Sequence, residues 1–568
     1  MKKEDGISIN YSFSMENANQ QYVKIRVDVP KEVLIEEIKL PVWRPGRYEI
    51  ANFAKNIKAF KVFDLKDNPV LFSKTDKSTW KLKSSSLNGC RIEYLYYANE
   101  INAGSSYLDK NMLYINPVNC CVYIEGSAFI SCTVNISIPD NWKIASGMNR
   151  KNKAYYLLNF DQLADSPFIC SPDLQCQSYE VNNYKFTIWV NGNIKPDWQK
   201  WIKDFEAFTK KQIEKFIEFP VKEFHFLIHA LPYKAYHGVE HLTNTVISLG
   251  PDEKINTSLY KELLGVSSHE LYHAWNVKSI RPKEMLPYDF SKENYSKLGY
   301  IYEGITTYMG DLFLLKSNVF KLDQYFDEFN KQLQKHFDNL GRFNYSVAES
   351  SFDTWLDGYV QGAPGRKVSI YVEGCLLAFV ADVMILKHTH GKYGLDEVMK
   401  RLYFNYAMKG IGISEEIYKE ELENITGVSF DEYFQNYIHG THSYESILNQ
   451  SLEVLGLEMN VNPSSSIIES KIGCKLFNHV TSKNRKAIAS IYPGSPADLA
   501  GIKVGDELNI ELINSKTLSS NHIHYYRKGL EMEVELPQIS KCFFNKYSLS
   551  VISNPIKEQQ RLFECWKN

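Results

Sequence analysis

Apolar and polar positions follow two different periods along the chain, and the changeovers divide it into three blocks. From about residue 7 to 190 the period is two. Tyr22-Val23-Lys24-Ile25-Arg26-Val27-Asp28-Val29 alternates strictly, and parts of Cys132 to Pro139 and Lys185 to Val190 do the same. Turn residues such as Arg44-Pro45-Gly46 and Ser166-Pro167 separate these runs. The pattern predicts an all-β, sandwich-like domain over 1–190. From Pro196 to about Phe219 the period lengthens: Trp198, Trp201, Ile202, Phe205 and Phe208 stand three and four apart. Helical patterns recur over 258–278, 293–316, 322–338, 366–390, 394–407 and 414–437. They predict a mainly α domain over 191–450, with a short strand near Phe224–Ala230. A third block, 455–568, returns to short strands. In it Ser495-Pro496 suits a helix start and Gly501 its end. No internal repeat is visible, and the fold class is multidomain α+β.

Composition narrows the partners. The chain has 568 residues, 44% hydrophobic and 23% charged, which suits about three soluble domains. Net charge is −2, so nothing in the balance favours nucleic-acid phosphates. No apolar run approaches the roughly 18–20 residues of a membrane span. Met1-Lys2-Lys3-Glu4-Asp5-Gly6 opens no apolar leader, which points to the cytoplasm, or to the periplasm if a signal has been removed. Ten cysteines without a CxxC pair are expected to be reduced core residues rather than a disulfide framework.

The chemistry sits in the middle block. In His269-Glu270-Leu271-Tyr272-His273 two histidines four apart share one face of a predicted helix and can hold a single zinc ion. Glu270 would reach a water on the metal rather than the metal itself. Zinc lowers the pKa of such a water to about 7, and a carboxylate can then take its proton. A catalytic zinc needs a third protein ligand, and Glu303 in Tyr302-Glu303-Gly304 on the next helical segment is the candidate. The bare pattern arises by chance in about two of a hundred such chains. The alternative is a helix carrying two surface histidines and a solvated Glu. The otherwise apolar run Leu263–Trp275 counts against it, because ionisable groups in a core helix need a reason to be there.

The run from His269 to Pro282, His-Glu-Leu-Tyr-His-Ala-Trp-Asn-Val-Lys-Ser-Ile-Arg-Pro, closely resembles the signature of the glycyl aminopeptidase family. These are gluzincin peptidases with a C-terminal PDZ domain, distantly similar to aminopeptidase N. Further segments match in order: Trp43-Arg44-Pro45-Gly46-Arg47-Tyr48, Gly238-Val239-Glu240-His241, Tyr302-Glu303-Gly304, Ser369-Ile370-Tyr371-Val372-Glu373-Gly374 and Pro493–Leu508. The resemblance implies a thermolysin-like catalytic domain over 191–450 and a PDZ-like β domain over 455–568. It implies one zinc ion on His269, His273 and Glu303, with Glu270 as general base. Gly238, Glu240 and His241 would bind substrate, Glu240 taking the free α-amino group. Tyr371 would donate to the developing oxyanion. The implied substrates are peptides with a free N-terminus, small residues such as Gly or Ala preferred.

Each role has a physical reason. A fixed carboxylate beside the metal reads a terminal ammonium and sets the cut one residue in. A tyrosine hydroxyl can stabilise a tetrahedral gem-diolate. Gly238 would let an edge of backbone approach the peptide. The segment after Tyr371 departs from the family: Glu373 replaces a lysine and Ile370 a tyrosine. The charge reversal is expected to alter substrate preference and the tuning of Tyr371. Asn276, Lys278 and Arg281 have no role readable here beyond support of the ligands or docking of the following loop. The PDZ-like block either takes a peptide or protein C-terminus at its sheet edge, near Ile472–Phe477, or only packs against the catalytic domain. Two other functions stay open: a gluzincin endopeptidase, and a non-catalytic zinc-bearing scaffold acting through the PDZ-like block.

Overall fold

The computed structural model describes residues 7–83, 86–151, 154–360, 362–480, 484–514 and 521–568. Residues 1–6, read above for a leader, lie outside them. The N-terminal block is β-rich: a seven-stranded sheet faces two four-stranded sheets. Strand Ser8–Asn17 runs parallel to Ser131–Ser137 and antiparallel to Tyr22–Ile35. The alternating apolar residues point between the layers and form one core. Phe60 of the large sheet stacks on Trp80 at 4.3 Å, and Phe13 meets Phe168 edge-on at 5.4 Å.

The middle block carries a five-stranded sheet that the periodicity only partly shows. Its order is Gln175–Val181, Tyr184–Asn191, Glu223–Ala230, Asn244–Gly250, then Ala235–Glu240 at the edge. The first two strands alternate and fell with the N-terminal block in the sequence. They pair instead with the catalytic sheet, Tyr184–Asn191 running parallel to Glu223–Ala230. Asn244–Gly250 is buried at every position, so it has no polar face to alternate.

Helices pack against this sheet. Trp198–Phe216, capped by Asp197, buries Trp201, Phe205 and Phe208. Tyr260–Tyr272 is shorter than the predicted 258–278. Beyond it, side chains compete for the carbonyls. Ser279 Oγ donates to Ala274 O, the His273 ring takes Asn276 O, and Lys278 and Ile280 make wider five-residue bonds back to His273 O and Trp275 O. The predicted 293–316 helix starts only with a wide, π-type turn, Tyr300–Ile305, which leads into Thr306–Lys316. Ile370–His388 is buried on nearly all sides and is the central helix of the domain.

The last block is not one body. Residues 467–536 form their own core around a five-stranded sheet and the short helix Pro496–Leu499. The antiparallel pair Leu457–Asn462 and Lys546–Val551, and the helix Lys557–Lys567, pack on the catalytic core instead. Trp566 is fully buried; its Nε1 donates to Tyr308 Oη at 2.8 Å, and its carbonyl accepts from Lys316 Nζ at 2.5 Å. All ten cysteines are free and seven are buried. Among the described residues no helix is long and apolar enough to cross a membrane.

Candidate active site

The helix Tyr260–Tyr272 packs on Thr306–Lys316 with Gly310 against its backbone. A Cβ at Gly310 would stand 3.0 Å from His269 Cα. This close approach sets His269 and His273 against Glu303. His269 Nε2 and His273 Nε2 are 3.0 Å apart, and Glu303 Oε2 lies 3.4 Å from His273 Nε2 and 3.8 Å from His269 Nε2. Donor atoms around a tetrahedral zinc with 2.0–2.2 Å bonds stand about 3.4 Å apart, so the three fit one ion. The tautomer fits as well. His273 Nδ1–H donates to Asn276 O at 2.6 Å, which leaves the Nε2 lone pair facing the other donors. Asn276 in turn donates to Ile301 O at 2.9 Å and Thr306 Oγ1 at 3.1 Å, tying one histidine to the turn that bears Glu303.

The electrostatics favour a cation among these three side chains. Burial, and then His273, push the His269 ring well below its ordinary pKa and keep it neutral. Burial would lower His273 too, but the Glu303 hydrogen bond and charge reverse this and raise it to about 9. A metal cation can take the place of that proton.

Glu270 is buried, with Oε2 lacking any hydrogen-bond partner. Burial raises its pKa well above the usual carboxylate range, and Glu240 and Glu303 add to the rise. Gly238 makes room for it: a Cβ there would lie 2.1 Å from Glu270 Oε1. The glycine therefore clears space for the Glu270 carboxylate, a constraint that the sequence did not suggest. Glu240 ends the edge strand, 3% exposed, with Oε1 unpartnered. Carboxylate atoms of Glu240 and Glu270 and a His273 nitrogen lie within 4.8 Å of one another. All of these groups line one cavity of about 710 Å³ that also admits Tyr371.

Tyr371 stands on the first turn of Ile370–His388, started by the Ser369 cap. Its hydroxyl is 3.4 Å from Tyr359 Oη. Burial, then the Glu303 charge, push its pKa well above the ordinary value, so it stays a donor. Tyr359 had no signal among 37 tyrosines.

Two expectations need correction. His241 turns away from the cavity: its Nδ1 is 2.9 Å from Asp165 Oδ1, in the N-terminal domain. Glu373, expected to reverse a charge near the site, is also turned away. It is 1% exposed and accepts from His336 Nδ1 at 2.8 and 2.9 Å, in a buried pair behind the helix. Consecutive helical residues lie about 100° apart, so two positions on from Tyr371 the side chain faces the core.

Lys278 and Arg281 acquire partners across the domain boundary. Lys278 Nζ is 2.8 Å from Asp165 Oδ1, and Arg281 Nη1 is 3.5 Å from Asp161 Oδ2. The turn at Trp43–Tyr48 crosses the other way. Trp43 Nε1 donates to Asp289 O at 2.7 Å, and the ring of Tyr48 meets that of Tyr302 at a 45° tilt, centroids 5.0 Å apart.

Two histidines and a glutamate that could hold one metal ion, with an unpaired carboxylate beside them, suit a metallopeptidase, and the family models point the same way. Two family models match: Peptidase M61 N-terminal domain over residues 10–172, and M61 glycyl aminopeptidase over residues 262–377. The two models match in chain order, and the resemblance of the sequence to the glycyl aminopeptidase family holds. The crystal structure of an aminopeptidase N family protein from Idiomarina loihiensis has the same fold, with TM-score 0.89 and 24% identity over 99% of this chain and 100% of that one. An M1 zinc metallopeptidase from Deinococcus radiodurans is a looser likeness: TM-score 0.48, 11% identity, over 78% of this chain and 96% of its own. The comparison with curated proteins gave no match.

Proposed function

We propose that the chain is a zinc-dependent aminopeptidase, with one zinc on His269, His273 and Glu303. The observation that carries this reading is Glu240. It is a buried carboxylate with an unpartnered oxygen, beside a second buried carboxylate, in the cavity of the metal set. A substrate ammonium relieves that repulsion, whereas a peptide interior offers no cation at this point.

When bound, zinc supplies Lewis acidity to the scissile carbonyl and to a water. Glu270 takes the proton of the attacking water and passes it to the leaving nitrogen, a task suited to its raised pKa. Tyr371 donates to the oxygen on which negative charge develops. Among the described residues Ala235–Glu240 has a neighbouring strand on one side only, so its outer edge is available to pair with an extended peptide. With the amino group at Glu240, the first peptide bond falls at the metal set. The family resemblance supports small N-terminal residues such as Gly and Ala.

The sheet within 474–535 is read as the PDZ-like module. Its edge strand Cys474–Leu476 carries Lys475, paired at 2.8 Å with Asp338 of the catalytic domain. That contact favours a module docked on the catalytic domain over one that captures a free peptide end at this edge.

The test compares Ala-amide and Gly-amide substrates with their N-acetylated forms, on the wild type, Glu240→Ala and Glu270→Gln. Turnover of free-amine substrates is expected to fall 10²–10⁴-fold in Glu270→Gln with zinc content unchanged. Blocked substrates should resist the wild type. Equal cleavage of blocked and free peptides would mean an endopeptidase; bound zinc with no turnover would mean a scaffold.

A further inference from the structure

Glu240 has little to hold it. Among the described residues its Oε1 has no partner, and its strand pairs along one edge only. Backbone constraints therefore bear on its position, and the nearest outside its own strand is the turn that follows it, residues 241–243. The N-terminal domain grips that turn at each residue. Asp165 Oδ1 lies 2.9 Å from His241 Nδ1, and Asp165 Oδ2 accepts the Leu242 N–H at 2.9 Å. Gly147 packs so tightly on Thr243 that a Cβ would stand 2.3 Å from its Oγ1. Lys278 Nζ, 2.8 Å from Asp165 Oδ1, completes the cluster. The side chains of Lys278, His241 and Asp165 are only 1%, 5% and 15% exposed. Water screens this group little, and one lost partner would leave a buried charge uncompensated. Burial alone would raise the Asp165 carboxyl; the Lys278 charge and the His241 bond outweigh it and keep Asp165 ionised. The same domain also bounds Glu240 from the front. Gly46 sits at φ +80°, and a Cβ there would be 2.5 Å from Glu240 Oε2.

We propose that Asp165 is a positioning residue for Glu240, and that recognition of the free amino terminus is assembled across the domain boundary. The catalytic domain supplies the carboxylate, and the N-terminal domain, through Asp165 behind and Gly46 in front, fixes where it stands. This inference rests on the reading of Glu240 as the ammonium acceptor. It assigns the N-terminal β domain a part in specificity, whereas the metal set and the base lie wholly in the catalytic domain.

The experiment uses the full-length zinc-loaded protein. Steady-state kinetics on alanine p-nitroanilide are combined with inhibition by alanine hydroxamate and by N-acetylalanine hydroxamate. Both inhibitors can reach the metal set; only the first has an ammonium. Asp165→Asn keeps an acceptor for Leu242 but loses the charge. It should raise KM roughly tenfold with kcat little changed, and lower the preference for the free-amine inhibitor by a similar factor, the size expected for a weakened charged hydrogen bond. Gly46→Ala, which displaces Glu240 from the other side, should do the same, and it serves if Asp165→Asn fails to fold. In the Glu240→Ala background Asp165→Asn should cause no further loss of that preference. The proposal is overturned if the variants keep the wild-type inhibitor ratio while kcat or Tm falls, which would mark Asp165 as structural only. A wild type that already binds both hydroxamates equally would overturn the Glu240 reading, and this inference with it, before any variant is made.

Discussion

At the residue scale, the raised pKa of Glu270 fixes the sign of the pH dependence. The base must be ionised, so kcat/KM should fall toward acid through an apparent pKa above the ordinary carboxylate value, and rate profiles on alanine p-nitroanilide will locate it. Glu240 contributes to that rise. The residual activity of Glu240→Gln should therefore show its acid limb moved to lower pH. His273 gives a second, independent sign. Its pKa is raised from 6.5 to about 9 by Glu303 against burial. A raised folded pKa adds stability below the unfolded value that is lost as pH rises through the folded one. Chelator-treated protein should thus lose Tm between about pH 6.5 and 9, and zinc-loaded protein should not show this slope. Tyr371→Phe removes the oxyanion donor and should lower kcat about 10²- to 10³-fold with little change in KM. His269, Glu270 and His273 stood out in the sequence by their short spacing and Glu303 by its place on the next helical segment, whereas Tyr371 was marked only by the family resemblance. Asp165 and Tyr359 were not legible, because each comes from a distant segment and has no local pattern. Glu373 was misjudged for the opposite reason: nearness in the chain suggested nearness to the site, while the helix turned it into the core beside His336.

At the element scale, the distance between two helical segments sets the site. Gly304 and Gly374 face each other where the π-type turn crosses the central helix. A Cβ at 304 would lie 2.3 Å from Gly374 Cα, and one at 374 would lie 2.7 Å from Tyr300 O. Glu303 is one residue from the first contact, and Tyr371 is one helical turn from the second. Gly374→Ala must push the two apart. It should cost about 1–3 kcal/mol in denaturant unfolding, and it should also reduce kcat, because metal ligand and oxyanion donor move relative to each other. Leu322–Asp338 was legible by its period, whereas the central helix, buried on nearly all sides, showed as a long apolar run. The edge strand and its neighbour were not legible, since one is short and the other is buried on both faces. The wide turn at Tyr300 was hidden for a related reason: a single extra residue per turn leaves the apolar spacing almost intact.

At the scale of the whole molecule, the seams between sheets and cores lie elsewhere than the periodicity placed them. The first seam lies before Gln175, because hydrogen bonding rather than alternation decides which sheet a strand joins. The last block divides, its outer parts belonging to the catalytic core. Trp566→Ala should cost about 3–5 kcal/mol, the usual range for a buried tryptophan, and urea unfolding of the catalytic domain will measure it.

Asn462 and Lys546 are direct partners in an antiparallel ladder. The chain therefore leaves and re-enters the catalytic core at one point, with residues 463–545 strung between two adjacent posts. Such an attachment makes the module a cartridge. A two-residue Asn-Gly hairpin joining Asn462 to Lys546 should close the ladder without it, since a tight turn spans the same gap. Other inserts could be carried on the same posts, each held by two strands instead of a single flexible tether.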